Sequence, residues 1–176
     1  MLLTICYHLL APLIFGPPEQ LISSTTSLNT SAETIYQLIS GKTKQLPEPG
    51  LPLFVDVRDV AQAHVLGLKN DSVIGKRILL SGGSYTVYGV CRTSIISLTT
   101  HYSQFVQTVQ LIAEKRPELK PRLPSLENAK PETRTISKVD ISIAEKELGM
   151  SFTSYEKCLF DTIDALLEKE NEWSGR

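Results

Sequence analysis

Strand-like and helix-like segments alternate along this chain of 176 residues, yet only three segments read as strands. They are the run ending near Phe15, Leu53 to Val55, and Lys76 to Leu80. Three strands are too few for a doubly wound sheet to close over its own core. The expected fold is therefore α/β with an incomplete parallel sheet, in a single partial domain over residues 1–176. The uncharged run MLLTICYHLLAPLIF is read as a strand covered on both faces, because such strands appear as continuous apolar runs. It is too short for a membrane span, which needs ~20 apolar residues. It also lacks the basic n-region and the small-x-small cleavage site of a signal peptide, and Pro12 interrupts it.

The helices are marked by their caps. Ser31 stands at an N-cap position ahead of Ile35, Leu38 and Ile39, with a stop near Gly41. Asp59 is expected to cap a helix to Leu68, in which Ala61, Val65 and Leu68 recur at helical spacing. Phe105 to Lys115 is amphipathic, with Val106, Val109 and Ile112 on one side, and Pro117, Pro121 and Pro124 force an irregular segment after it. Asp140 caps a helix through Leu148, and Gly149 supplies its left-handed end. Ser154 opens the last helix, whose buried stripe is Leu159, Ile163, Leu166 and Leu167. The C-terminal part is thus mostly helical.

Charge and cysteine usage narrow the function classes. Eighteen Lys and Arg against nineteen Asp and Glu leave a net charge of -1, without the basic stripe that phosphate neutralisation requires, so nucleic acid is excluded as a partner. Cys6, Cys91 and Cys158 are odd in number and scattered, with no CxxC pair; no metal site is expected, and reduced thiols fit a cytoplasmic protein. The sequons at Asn29 and Asn70 bear only on the secretory pathway. Asp56 and Asp59, three residues apart, raise the idea of acid/base or metal chemistry. Asp59 is better used at a helix N-terminus, and Arg58 between the two acids can neutralise either. His64 reads as a structural histidine.

Three motifs in order, Pro12-Leu13-Ile14-Phe15-Gly16-Pro17-Pro18, then Phe54-Val55-Asp56-Val57-Arg58-Asp59-Val60-Ala61-Gln62-Ala63-His64, then Gly75-Lys76-Arg77-Ile78-Leu79-Leu80-Ser81, resemble the extended short-chain dehydrogenase/reductases of the NAD-dependent epimerase/dehydratase superfamily. The likeness is greatest to the fungal carbonyl and aldehyde reductases that are similar to dihydroflavonol reductase. Glu147-Leu148-Gly149 and Ser151-Phe152-Thr153-Ser154 fit the same family's C-terminal helices. The resemblance implies the C-terminal, substrate-side half of an NAD(P)-binding Rossmann-type fold. It implies a parent enzyme that transfers hydride from NADP(H), or NAD(H), to a small-molecule ketone or aldehyde. It further implies that Pro12, Leu13, Ile14 and Ser31 contact the cofactor, and that FVDVRDVAQAH ties the substrate domain to the cofactor domain. Read from the residues alone, Pro12 and Pro17 end a strand and Ser31 caps a helix.

Two features of that family are missing from the sequence. No Gly-rich strand-to-helix turn for a pyrophosphate is present, since Gly82-Gly83 is not followed by a third glycine at the right spacing. None of Tyr7, Tyr36, Tyr85, Tyr88, Tyr102 and Tyr155 has a Lys four residues on, so no catalytic residue is assigned and carbonyl reduction by this chain alone is not expected. The alternative is a non-catalytic interaction module that uses the apolar faces of Met1 to Phe15 and Lys76 to Leu80. Residues 87–104 separate Ser84-Tyr85-Thr86 from the Phe105 helix that should follow directly, and read as an insertion or a short intron translated in frame. Cys6 to Leu10 also depart from the family's pattern.

Overall fold

The computed structural model describes residues 6–47, 50–84, 104–127 and 139–173. The expected insertion lies outside these residues, apart from Gln104.

The first apolar run is two strands, not one. β1 (His8–Leu10) pairs in parallel with β4 (Arg77–Leu79), Leu9 opposite Ile78. β2 (Leu13–Phe15) pairs in parallel with β3 (Leu53–Asp56), Ile14 opposite Val55. Pro12 causes the break, because it has no N–H to donate to a ladder. The chain leaves one small sheet at Ala11 and enters another at Leu13. The second sheet is completed by β5 (Gly83–Ser84), which runs antiparallel to β3. This reversal is built by Gly82-Gly83. The Gly82 N–H donates to Phe54 O at 2.9 Å, and a Cβ there would stand 2.8 Å from the Phe54 ring. Gly83 has φ +108, which side chains rarely adopt.

Because side chains alternate across a strand, β3 feeds two cores. Phe54 joins Phe15, Ile35, Leu38, Ile39, Ile112, Leu159, Ile163 and Leu166, while Val55 joins Ala63, Val73, Ile78, Leu80, Ala144 and Leu148. The first core is roofed by α1 (Thr30–Ile39), α3 (Gln104–Lys115) and α5 (Tyr155–Trp173). The second lies under α2 (Val57–Gly67) and α4 (Ser142–Lys146). Lys76 Nζ meets Glu147 Oε1 at 2.5 Å and Oε2 at 2.6 Å, which docks the end of α4 beside β4. Gly149, with φ +63, turns the chain there as expected. Asp140 accepts from Ser142 N at 2.9 Å, but α4 stops two residues before Leu148.

Two caps differ from expectation. Asn29, not Ser31, caps α1: its side chain accepts from Ala32 N at 2.9 Å, which makes Ser31 the second helical residue. Both types cap well, and Asn29 has the extended backbone the position needs. Asp56, not Asp59, caps α2, accepting from Arg58 N at 2.8 Å. Asp59 instead receives Thr153 N at 2.8 Å and Thr153 Oγ1 at 3.0 Å, closing the loop ahead of α5. Asp56 is fully buried and takes two further bonds from Arg58, Nε at 2.8 Å and NH2 at 2.6 Å. The other guanidinium nitrogen reaches Asp161 on α5 at 2.6 Å. Burial alone pushes the Asp56 carboxyl upward, but the Arg58 bonds outweigh it and hold it below its ordinary value.

The coverage of the first run and of α2 also departs from expectation. Leu10 and Ile14 are 36% and 37% exposed, so the strands are not covered on both faces. On α2 the buried residues are Asp59, Ala63 and Gly67, while Ala61 is exposed and Val65 and Leu68 are 51% and 75% exposed. Gly67 decides that rotation. A Cβ on it would stand 2.6 Å from the Tyr7 ring, so this side lies on β1 and the apolar stripe of α2 points outward.

Two predictions follow from these contacts. Asp56 is depressed in the native state, so its stabilisation is complete above the unfolded value near 3.8 and is lost as pH falls through the lower native value. Urea midpoints measured from pH 5 to pH 2 should therefore fall, and Asp56→Asn should flatten that dependence while costing about 1–3 kcal/mol at neutral pH. On the bare face, the double variant Val65→Glu and Leu68→Lys should leave stability within about 0.5 kcal/mol and reduce self-association in sedimentation runs.

Candidate functional site

At the C-terminal end of β2 the chain must leave the sheet while two other elements crowd it. Gly16 does this with φ +123, and a Cβ would stand 2.7 Å from Val57 Cγ1. Its N–H no longer has a ladder partner and donates to Thr162 Oγ1 on α5 at 2.9 Å. Pro17 and Pro18 then carry the chain away from the sheet.

This exit faces the N-terminus of α1 across a cavity of about 450 Å³. One wall is Pro12, Leu13, Ile14 and Phe15 with the Gly16-Pro17-Pro18 turn; the opposite wall is Asn29, Thr30, Ser31 and Ala32; Val57 and Thr162 also line it. Asn29 Nδ2 donates to Gln20 Oε1 at 3.2 Å, tying the connecting loop to the cap. The two walls differ in chemistry. The first is apolar apart from backbone. The second is the positive end of a helix dipole, where Asn29 satisfies Ala32 N and Glu33 N while the amides of Thr30 and Ser31 have no acceptor among the described residues. Such an end favours an anionic or electron-rich oxygen.

All four residues expected at a cofactor, Pro12, Leu13, Ile14 and Ser31, line this one cavity. Sequence reading missed Gly16, Asn29, Val57 and Thr162. A Gly-Pro-Pro run signals a turn, and Asn29 offers the same capping chemistry as Ser31, so these two were accessible. Thr162 carried no such signal, being 146 residues from the backbone it bonds.

Glu19 lines the cavity, while several other titratable groups are spent on structure. Asp56 and Asp59 are each engaged at both carboxylate oxygens by donors of Arg58 and Thr153 respectively. Burial pushes the Cys158 thiol well up, and the Asp56 carboxylate beside it adds to this, so it is no nucleophile. His64 is exposed, and its Nδ1 lies 2.8 Å from Val60 O on its own helix. Burial, reinforced by a hydrogen bond to Glu170, pushes Tyr36 up to about 12, far from a proton donor's range. Among the described residues no cluster of His, Cys, Asp and Glu could hold a metal ion, and no helix is long and apolar enough to cross a membrane. A second, wider trough of about 830 Å³ runs along β1 and α2, lined by Tyr7, Leu9, Leu10, Ile14, Val60, His64 and Arg77 among others.

No established family profile matches the chain. Individual relatives do. An uncharacterised oxidoreductase of Schizosaccharomyces pombe is 32% identical over 162 residues, which is 92% of this chain and 42% of that protein. The ketoreductase azaE of Aspergillus niger is 32% identical over 160 residues, 90% of this chain and 42% of its own length. Among solved structures, yeast methylglyoxal/isovaleraldehyde reductase Gre2 complexed with NADPH superposes with a TM-score of 0.69 at 21% identity, over 95% of this chain and 44% of that one. At that identity the likeness establishes the fold. The chain thus spans less than half the length of the proteins it matches, and it has the mixed α/β architecture with short parallel pairs of a partial Rossmann-type fold. The PLIFGP, FVDVRDVAQAH and GKRILLS segments thus stand in one partial Rossmann-type frame, and over most of its length the chain is similar to part of these reductases, in keeping with its resemblance to the C-terminal half of the extended short-chain dehydrogenase/reductases.

Proposed function

We propose that this chain forms the substrate-side part of an NADPH-dependent carbonyl reductase, and that Pro12, Leu13, Ile14 and Ser31 face the nicotinamide half of the cofactor. The observation that carries the reading is the single cavity in which the end of β2 meets the N-terminus of α1. Its volume of about 450 Å³ lies within the range of small-ligand sites. The apolar wall suits the face of an uncharged ring, and the open amides of Thr30 and Ser31 suit ribose or phosphate oxygens. The residues present therefore fit the nicotinamide end. They do not fit the pyrophosphate, for which the chain has no Gly-rich turn.

NADPH, when bound, supplies the hydride that reduces a carbonyl carbon. This chain's residues have the supporting tasks. Pro12, Leu13 and Ile14 keep water from one side of the ring, and the α1 terminus fixes the attached sugar. The described lining has one ionisable side chain, Glu19, and no tyrosine, and no Tyr of the sequence has a Lys four residues on; on this reading the reduced oxygen takes its proton from a group outside this chain. Relatives described as ketoreductase and methylglyoxal reductase support a ketone or aldehyde as the substrate class, and the NADPH complex of the yeast enzyme supports NADP over NAD. On this reading residues 1–176 form one partial domain, residues 87–104 are an insertion or a retained intron within it, and the unbridged thiols Cys6 and Cys158 support a cytoplasmic protein.

Reduced nicotinamide mononucleotide tests the site, since it has the ring, the ribose and one phosphate without the adenosine half. Titrated into the labelled chain, it should shift the amide resonances of Ile14, Gly16 and Ser31 in a saturable way; no shift at millimolar ligand overturns the assignment. In parallel, NADPH with methylglyoxal should be consumed no faster than in buffer, and measurable turnover would refute the division of labour proposed above.

A further inference from the structure

We infer that Thr162 is the positioning residue of this cavity, its hydroxyl setting the backbone at Gly16 and through it the wall from Leu13 to Pro18. The inference rests on the nicotinamide-side reading. Four observations lead to it.

The hydroxyl is committed in both directions. It donates to Cys158 O at 2.6 Å, one turn earlier in α5, which leaves its lone pair aimed at Gly16 N, 2.9 Å away. A threonine hydroxyl has one proton, so the carbonyl fixes which way the acceptor points. Thr162 is also 1% exposed, so no water competes for either bond.

Gly16 is held from two sides. Val57 closes the space where a Cβ would be, and Thr162 takes the only donor the turn offers. Without an acceptor this buried N–H would be orphaned, and the turn would have to move to find water. Any such movement shifts Ile14 and Phe15, which lie in the same three-residue strand.

Thr162 is itself placed by charge. Its neighbour Asp161 is paired with Arg58 at 2.6 Å and with Lys157 at 2.9 Å, and Arg58 grips the buried Asp56 at the start of α2. The rotation and height of α5 at this point are therefore tied to β3, the strand beside β2. Finally, Thr162 lines the cavity along with the turn it holds.

Valine has the shape of threonine without the hydroxyl, which separates positioning from packing. In Thr162→Val the Gly16 amide should exchange with solvent at least tenfold faster, while the β2 and β3 amides keep their protection. Affinity for reduced nicotinamide mononucleotide should fall about tenfold. Thr162→Ser keeps the hydroxyl and should restore Gly16 protection and bring affinity within about twofold of the parent chain. Parent-like affinity in a folded Thr162→Val overturns the inference and leaves the nicotinamide reading intact. If the valine variant does not fold, the serine variant decides: a tenfold loss of affinity with the fold retained also overturns it. A parent chain that shows no shifts at Ile14 and Ser31 defeats the underlying reading instead, and the inference with it.

Discussion

Asp56 brings a negative charge to a place without solvent, and the surrounding chain is arranged so that this charge is met. A buried carboxylate without partners costs several kcal/mol, so the three donors of Arg58, its backbone N–H, Nε and NH2, are conditions for the fold. Arg58 is only two residues away and could satisfy Asp56 locally, yet its third nitrogen extends to Asp161 and recruits α5. Asp59 does the same at a second point through Thr153. A short acidic-basic-acidic segment, which resembles catalytic machinery on paper, thus clamps a strand, a helix start and the C-terminal helix together. Each carboxylate oxygen of the two acids is occupied by a donor from a neighbouring element or residue.

From that clamp the cavity follows. α5 is held against β3, β3 is paired with β2, and β2 ends where Thr162 waits for the Gly16 amide. The opposite wall depends on a different device, the Asn29 cap that directs the first amides of α1 outward. An apolar wall and a positive helix end facing each other across about 450 Å³ suit a ligand with a flat uncharged part and an oxygen-rich part. No ionisable side chain is needed for this recognition, which explains why a search for charged constellations would have passed over it.

The outward side of β1 and α2 has a different character. Leu10, Ile14, Val65 and Leu68 are exposed there, and β1 has a paired strand on one edge among the described residues. The relatives are more than twice as long as the stretch they share with this chain. An apolar stripe on a helix and a continuous apolar strand are normally signs of burial, and both signs were read that way from the sequence. The side chains carry the pattern of a covered surface, while the described residues contain no layer that covers it.

Local chemistry determined much of this protein from the sequence. The helical periods of α1, α3 and α5, the stop at Gly149 and the structural use of Asp56 and Asp59 depend on residue type and short spacing, whereas the grouping of Pro12, Leu13, Ile14 and Ser31 was implied only by the family resemblance. What the tertiary structure alone decided were choices between equivalent local options. Asn29 and Ser31 can both cap a helix, and Asp56 and Asp59 can both open the next one; the winner is set by where Gln20 and Thr153 lie. Pro12 could end a strand or merely bend it, and the separate partners of β1 and β2 settled that. The face α2 buries was chosen by Tyr7 against Gly67, a steric fact between residues 60 positions apart. Thr162 is the clearest case, since a threonine in an amphipathic helix has no meaning until the fold brings an unpaired amide to within 2.9 Å of its hydroxyl.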